Sequence, residues 1–142
     1  MSAAIRRAVR SPIVWSEYQA PPPRRHDEED FQRDVCKFLP LALPVDAVFF
    51  AIPNGGLRSK KTAARLSGQG VRAGVPDLCI CWRGRAYFLE LKTTSGRMSV
   101  DQRNMARVLN YCGCPVMLCR SLPEVEAQLR EATIPLRATV TT

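Results

Sequence analysis

Residues 74–92, GVPDLCICWRGRAYFLELK, are typical of two apolar strands joined by a tight turn at Arg83-Gly84. With that turn, counting outward along the two strands places Asp77 opposite Glu90. Lys92, two residues beyond Glu90, points to the same face of the sheet. Like charges directly opposite one another repel, whereas a divalent cation between the carboxylates would bind both. The register therefore predicts a metal site with a lysine beside it.

Both faces of this hairpin are apolar, which indicates strands inside a sheet that has helices on each side. A chance ion pair between Glu90 and Lys92 is the alternative, but it leaves Asp77 unmatched. The predicted elements follow the order helix, strand, hairpin, helix, strand, helix. This order predicts an α/β fold with a mixed central β-sheet flanked by helices.

The chain has 142 residues and a formal net charge of +8, which favours a polyanionic partner such as nucleic acid. No apolar run is long enough for a membrane span, and the first residues lack the apolar run of a secretory signal, so we expect neither feature. Six cysteines without a CxxC pair, and a single histidine at His26, argue against disulfides and structural zinc. We therefore expect a cytoplasmic protein without a small-molecule cofactor, although a nuclear or organellar location stays open.

Three segments differ in composition. Residues 1–26 carry a proline and arginine cluster without a sustained period and are predicted to be a disordered basic arm. Residues 27–133 hold the predicted helices and strands and form the folded domain. Residues 134–142 are assigned to a short C-terminal tail.

Residues 53–76 contain basic and glycine residues but no acidic residue. Basic side chains attract phosphates, and glycines let a phosphate approach main-chain N–H groups closely. A solvated basic loop with a short helix near residues 60–66 is the alternative. The predicted DNA-binding residues are Asn54, Arg58, Lys60, Lys61, Arg65 and Arg72.

Pro76-Asp77 followed by Glu90-Leu91-Lys92 matches the motif of the PD-(D/E)XK nuclease superfamily. The flanking residues make the resemblance more specific, and together they are similar to the VRR-Nuc family of virus-type replication-repair nucleases. These flanks are Glu28 before Phe31-Gln32, Asn54-Gly55, Gly70 and Gly74, and Gly96-Arg97-Met98-Ser99 before Gln102.

The resemblance implies that Asp77, Glu90 and the Leu91 carbonyl bind Mg²⁺ or Mn²⁺, and that Lys92 orients or activates the attacking water. It also implies a first-helix glutamate as a metal ligand, which we align with Glu28. Glu29 is adjacent, and both residues also suit the positive end of a helix dipole. The glutamine that the family has near its site corresponds to Gln102, which equally completes a capping box begun at Ser99.

The resemblance also implies a metal-dependent DNA endonuclease that acts on Holliday junctions or other branched DNA. Since one chain has one site, symmetric cleavage of a junction predicts a homodimer. Two alternatives remain: a non-catalytic nucleic-acid-binding module on a nuclease-like fold, and a sequence-specific restriction-type endonuclease.

Overall fold

The computed structural model describes residues 28–53 and 59–140. The predicted basic arm at residues 1–26 lies outside these ranges, as do Asn54 and Arg58. In chain order the elements are α1 (Glu28–Ala42), β1 (Val48–Ala51), α2 (Lys60–Gly68), β2 (Leu78–Trp82), β3 (Arg85–Leu91), α3 (Val100–Tyr111), β4 (Val116–Cys119) and α4 (Leu122–Glu131). Among the helices of the described ranges, none combines the length and the apolar character that crossing a membrane requires.

The four strands form one sheet in the order β1-β2-β3-β4. Strands β1, β2 and β3 are antiparallel neighbours, and β4 runs parallel to β3. The mixed α/β architecture predicted from the sequence is therefore confirmed.

The turn between β2 and β3 sets the register of the hairpin. Arg83 and Gly84 both have positive φ angles, 46° and 77°, which is the combination of a type I′ turn. Trp82 pairs with Arg85 and Leu78 with Leu89, as predicted. Asp77 directly precedes β2 and Glu90 lies in β3, so both carboxylates belong to the same end of the hairpin.

One face of the sheet carries the main core. Its side chains pack against α1 and α4, whose apolar residues also lie in the core. The fully buried members are Val35, Phe38, Leu39, Ala42, Leu78, Ile80, Leu89, Leu91, Cys119, Val125 and Leu129. This packing holds α1, which begins at Glu28, across the strands that carry Asp77 and Glu90.

The opposite face is covered only in part, by α3. Val108 and Tyr111 of this helix are 56% and 93% exposed, and Phe50 of β1 is 49% exposed. Cys79 is buried on this face, and burial raises the pKa of its thiol to about 12. The thiol is therefore protonated at neutral pH and packs as a small apolar group.

Residues after α4 pack against the end of α1, a helix that continues through Pro40 to Ala42. Ile134 and Ala138 are buried, and the amide of Arg137 donates a hydrogen bond to the Ala42 carbonyl at 2.8 Å. Residues 134–140 are thus part of the core rather than a free tail, because they cover the end of α1.

Candidate active site

Asp77 lies where β1, β2 and β3 meet. Its main-chain oxygen accepts a hydrogen bond from the Ile52 amide at 2.8 Å, and its Oδ2 accepts one from the Leu91 amide, also at 2.8 Å. Burial raises the pKa of Asp77, while the Leu91 N–H and the charge of Lys92 oppose that rise. The carboxyl group is therefore fixed in place between the first and third strands.

Glu90 is fully buried beside Asp77. Its Oε1 accepts a hydrogen bond from Gln102 Nε2 at 2.7 Å and lies 3.2 Å from Lys92 Nζ. Its Oε2 is buried and has no hydrogen-bond partner among the residues that the structure describes. Burial and, second, the charge of Asp77 raise the pKa of Glu90 to about 7. The two carboxyl groups thus lie at the same end of the hairpin, and the negative charge of Asp77 disfavours ionisation of Glu90.

Lys92 joins two carboxylates from different elements. Its Nζ lies 3.1 Å from Glu28 Oε1 as well as 3.2 Å from Glu90 Oε1, and only 6% of the residue is exposed. Burial by itself would lower the pKa of Lys92, but the contacts with Glu28 and Glu90 outweigh it and raise the pKa. The lysine is therefore a buried cation at neutral pH.

The first turn of α1 brings Glu28, rather than Glu29, to this cluster. Both oxygens of Glu28 face Lys92 Nζ, at 3.1 and 3.3 Å. Glu29 instead lies 3.8 Å from Arg33 on the exposed side of the helix. The two glutamates that the sequence leaves open thus have different surroundings, and Glu28 is the one near Glu90.

Gln102 makes two kinds of contact, one with the helix start and one with Glu90. It completes a capping box with Ser99 at the start of α3, and its Nε2 donates to Glu90. The start of this helix also meets the loop before Asp77. A β-carbon on Gly74, which has φ +78°, would lie 2.3 Å from the Asp101 carbonyl carbon and oxygen, so only glycine permits this approach.

An open cleft of about 700 Å³ adjoins these residues. Asp77, Glu28 and Gln102 line it. The buried Glu90 contacts Gln102, and the buried Lys92 contacts Glu28. The remaining lining residues are Glu29, Gln32, Ile52, Pro53, Ala73, Gly74, Val75, Ser99 and Asp101. A substrate in the cleft would therefore reach Asp77 and the side chains that hold Glu90 and Lys92.

The donors at this end of the hairpin suit a hard cation. Carboxylate and carbonyl oxygens are what Mg²⁺ and Mn²⁺ prefer, and the partnerless Oε2 of Glu90 is an available ligand atom. Within the described residues, no three side chains of His, Cys, Asp or Glu converge closely enough to hold an ion. Glu28 is turned to Lys92, so the fitting donors are those of Asp77 and Glu90.

The predicted DNA contacts within the described ranges lie on α2 and in the loop after it. Lys60, Lys61, Arg65 and Arg72 are all exposed. Every residue of α2 is exposed or half-buried, so this helix contributes charge rather than core.

Sequence reasoning missed Arg120. Its Nη1 donates hydrogen bonds to the carbonyl oxygens of Thr93 and Gly96, in the loop that follows Lys92, each at 2.6 Å. A single arginine after a strand has no local pattern that would indicate such contacts.

The sequence model of the VRR-NUC domain matches residues 46–123, which is more than half of the chain. The matched segment contains Asp77, Glu90, Lys92 and Gln102, whereas Glu28 precedes it. Among curated proteins and solved structures, the chain has no significant match. The chain therefore belongs to the VRR-NUC domain family, whose members are nucleases of the PD-(D/E)XK type.

Proposed function

We propose that this chain is a Mg²⁺-dependent endodeoxyribonuclease selective for Holliday junctions or other branched DNA, with a role in replication, recombination or repair. One observation carries the proposal: the buried Glu90, beside Asp77, has one oxygen without a partner among the described residues and the other 3.2 Å from Lys92 Nζ. A carboxyl pair next to a buried lysine combines ligands for a cation with a positive charge near the phosphate.

Asp77, Glu90 and the main-chain carbonyl of Leu91 would hold Mg²⁺, with Mn²⁺ as a substitute. When bound, such an ion polarises a phosphodiester oxygen and lowers the pKa of water. Glu28 would be a third carboxylate ligand only by exchanging its contact with Lys92, since both of its oxygens face that ammonium group.

Lys92 and Gln102 define the surroundings of Glu90. The ammonium group of Lys92 is protonated at neutral pH, so it can orient a water molecule by donating a hydrogen bond to it and can stabilise developing negative charge. Gln102 Nε2 donates a hydrogen bond of 2.7 Å to Glu90 Oε1, so Oε2, which has no partner in the described part of the chain, is the oxygen that can bind the cation. Lys92 thus supplies positive charge beside Glu90, whereas Gln102 fixes the orientation of its carboxylate.

The charge of the surface supports nucleic acid as the substrate. The exposed basic residues Lys60, Lys61, Arg65 and Arg72 contact phosphates in this proposal, and phosphate contacts carry no base sequence. Selectivity would then depend on DNA geometry rather than on bases. Since one chain supplies one site, cutting two strands of a junction symmetrically requires a homodimer.

A non-catalytic binding module is the second candidate function. The exposed basic helix α2 would serve it equally well, since phosphate binding needs no carboxylate pair. The buried charges of Glu90 and Lys92 beside the half-buried Asp77 favour catalysis, because a simple binder gains nothing from burying charges.

The test is cleavage of four-way junction, flap, single-stranded and linear duplex DNA with Mg²⁺, by wild type and by Asp77→Asn. We expect the junction or flap to be cut fastest and Asp77→Asn to cut none. Binding without cleavage by the wild type would favour the non-catalytic module, and equal cleavage by both proteins would reject the assigned site. Preferential cutting of one duplex sequence would indicate a restriction-type enzyme.

A further inference from the structure

Arg120 follows β4 and reaches back to the loop that leaves β3. Its Nη1 donates to the main-chain carbonyl oxygens of Thr93 and Gly96 at 2.6 Å each, and to that of Thr94 at 3.4 Å. The two N–H bonds of one guanidinium nitrogen therefore hold two carbonyl groups of a single short loop closely, with a third carbonyl at longer range. The side chain is itself half-buried, so these contacts are partly shielded from water.

The same loop touches the ion pair of the proposed active site. A β-carbon on Gly96 would lie 3.3 Å from Glu28 Oε1, so the Gly96 main chain packs directly against that carboxylate. The Gly96 amide donates to both the main-chain and side-chain oxygens of Thr93, at 3.1 Å each, which closes the loop. The main-chain amide of Lys92 donates a hydrogen bond to the Cys119 carbonyl at 3.0 Å. Lys92 directly precedes the loop and Cys119 directly precedes Arg120, so this bond holds the start of the loop beside the main chain of Arg120.

We infer that Arg120 is a positioning residue of this nuclease, which keeps Glu28 against Lys92 by fixing the loop at residues 93–96. The inference rests on the function proposed above. The contacts of Arg120 are with loop carbonyls, so it acts through the loop rather than on the substrate. A planar guanidinium group can hold several carbonyls in fixed directions, whereas the ammonium group of a lysine is a compact point charge.

Arg137 provides a matched control. Its guanidinium group also donates to main-chain carbonyls, those of Leu43 at 2.6 Å and Pro40 at 2.8 Å. These carbonyls lie at the end of α1 opposite Glu28. An arginine that is only structural should therefore resemble Arg137, lowering stability when replaced but leaving the turnover of folded enzyme unchanged.

The experiment compares wild type with Arg120→Met, Arg120→Lys and Arg137→Met. Two quantities are measured: kcat and KM on the junction DNA with Mg²⁺, and the ¹H–¹⁵N resonance of the Lys92 ammonium group in metal-free protein. We expect Arg120→Met to lower kcat about 10-fold or more, with KM changed less than about 2-fold, because small misplacements of reacting groups slow chemistry strongly. The Lys92 resonance should shift or broaden in Arg120→Met, less so in Arg120→Lys, and stay unchanged in Arg137→Met.

Wild-type kcat together with a wild-type Lys92 resonance in Arg120→Met would overturn the inference, and so would equal losses in the Arg120 and Arg137 variants. If Arg120→Met does not fold, Arg120→Lys is judged by the same criteria. If the wild type cuts no DNA, the proposed function fails, and the Lys92 resonance alone decides whether Arg120 positions the ion pair.

Discussion

Gln102 and Glu90 join the start of α3 to the buried end of β3. Gln102 Nε2 donates to Glu90 Oε1 at 2.7 Å, and Gln102 Oε1 accepts from the Ser99 amide at 2.8 Å. The two ends of one amide group thus link a helix cap to the carboxyl group whose other oxygen has no partner in the described chain. A capping residue therefore sets which oxygen of Glu90 is free.

Two substitutions separate these roles of Gln102. Ser99→Ala removes only the hydroxyl that accepts a hydrogen bond from the main-chain N–H of Gln102. We expect it to cost about 1 kcal/mol of unfolding free energy, with little change in cleavage rate. Gln102→Leu removes the side-chain bond from the Ser99 amide and, in addition, the hydrogen bond to Glu90. We expect this variant to lose about 10-fold or more in cleavage rate. Urea unfolding measures the first effect, and single-turnover cleavage without urea, where both variants are folded, measures the second. Equal rate losses in the two variants would show that the Glu90 contact has no catalytic importance.

Glu90 should make the stability of the metal-free protein depend on pH. Burial and the charge of Asp77 raise the pKa of Glu90 from its ordinary value of 4.5 to about 7. Below pH 4.5 this carboxyl is protonated in the folded and the unfolded chain alike. Between pH 4.5 and 7 the unfolded chain loses the proton first, so the folded state is progressively destabilised, by up to about 3 kcal/mol.

The measurement is urea unfolding of wild type and Glu90→Gln over this pH range. Since Gln does not titrate, the variant should gain stability relative to wild type as the pH rises, with the gain complete slightly above pH 7. Titrating groups that do not interact with Glu90 are shared and cancel in the difference. Parallel stability curves would mean that Glu90 titrates near its ordinary value.

Metal binding can be tested without any DNA. Calorimetric titration with Mn²⁺ should show binding to wild type and at least about a 10-fold weaker affinity for Asp77→Asn and Glu90→Gln, since each loses a charged ligand. Asp46→Asn is the matched control, because that carboxylate contacts Trp82 and Arg83 at the far end of the hairpin. Affinity unaltered by the first two changes would place any ion elsewhere.

The hairpin at the site was predictable because its register depends on local chemistry. The Arg83-Gly84 turn adopts the positive φ angles that fix the pairing, and Ser99 with Gln102 forms a local capping box. The choice of Glu28 over Glu29 was not predictable, since it depends on how α1 rotates as it packs on the sheet. The contacts of Arg120 were equally hidden, because its partners are remote in sequence and are main-chain carbonyls without a side-chain signature.

The basic residues of α2 should control DNA affinity without affecting the fold. Replacing Lys60, Lys61 and Arg65 together by Gln removes charges from a helix whose residues are all exposed or half-buried. We expect weaker binding and a smaller dependence of affinity on salt. The slope of log K against log salt should fall by roughly 0.9 for each phosphate that the variant no longer neutralises.

Fluorescence anisotropy of labelled DNA over a series of salt concentrations measures this slope. The matched control replaces Lys37, Arg83 and Arg130, which carry the same total charge on exposed positions of other elements. If the control lowers the slope as much as the α2 variant, binding depends on net charge alone and α2 has no special role.

The Glu90–Lys92 pair should behave as one unit in a double-mutant cycle. At pH 8, where Glu90 is ionised, Lys92→Met leaves a buried carboxylate without its cation and should cost about 3–5 kcal/mol, less whatever Glu90 recovers by taking up a proton. Glu90→Gln with Lys92→Met leaves no unpaired charge on Glu90, so the double variant should be more stable than Lys92→Met alone. Urea unfolding at pH 8 measures the cycle. Additive effects of the two single changes would mean that the 3.2 Å contact contributes little, whereas restored stability without restored cleavage would show that the pair is retained for chemistry rather than for folding.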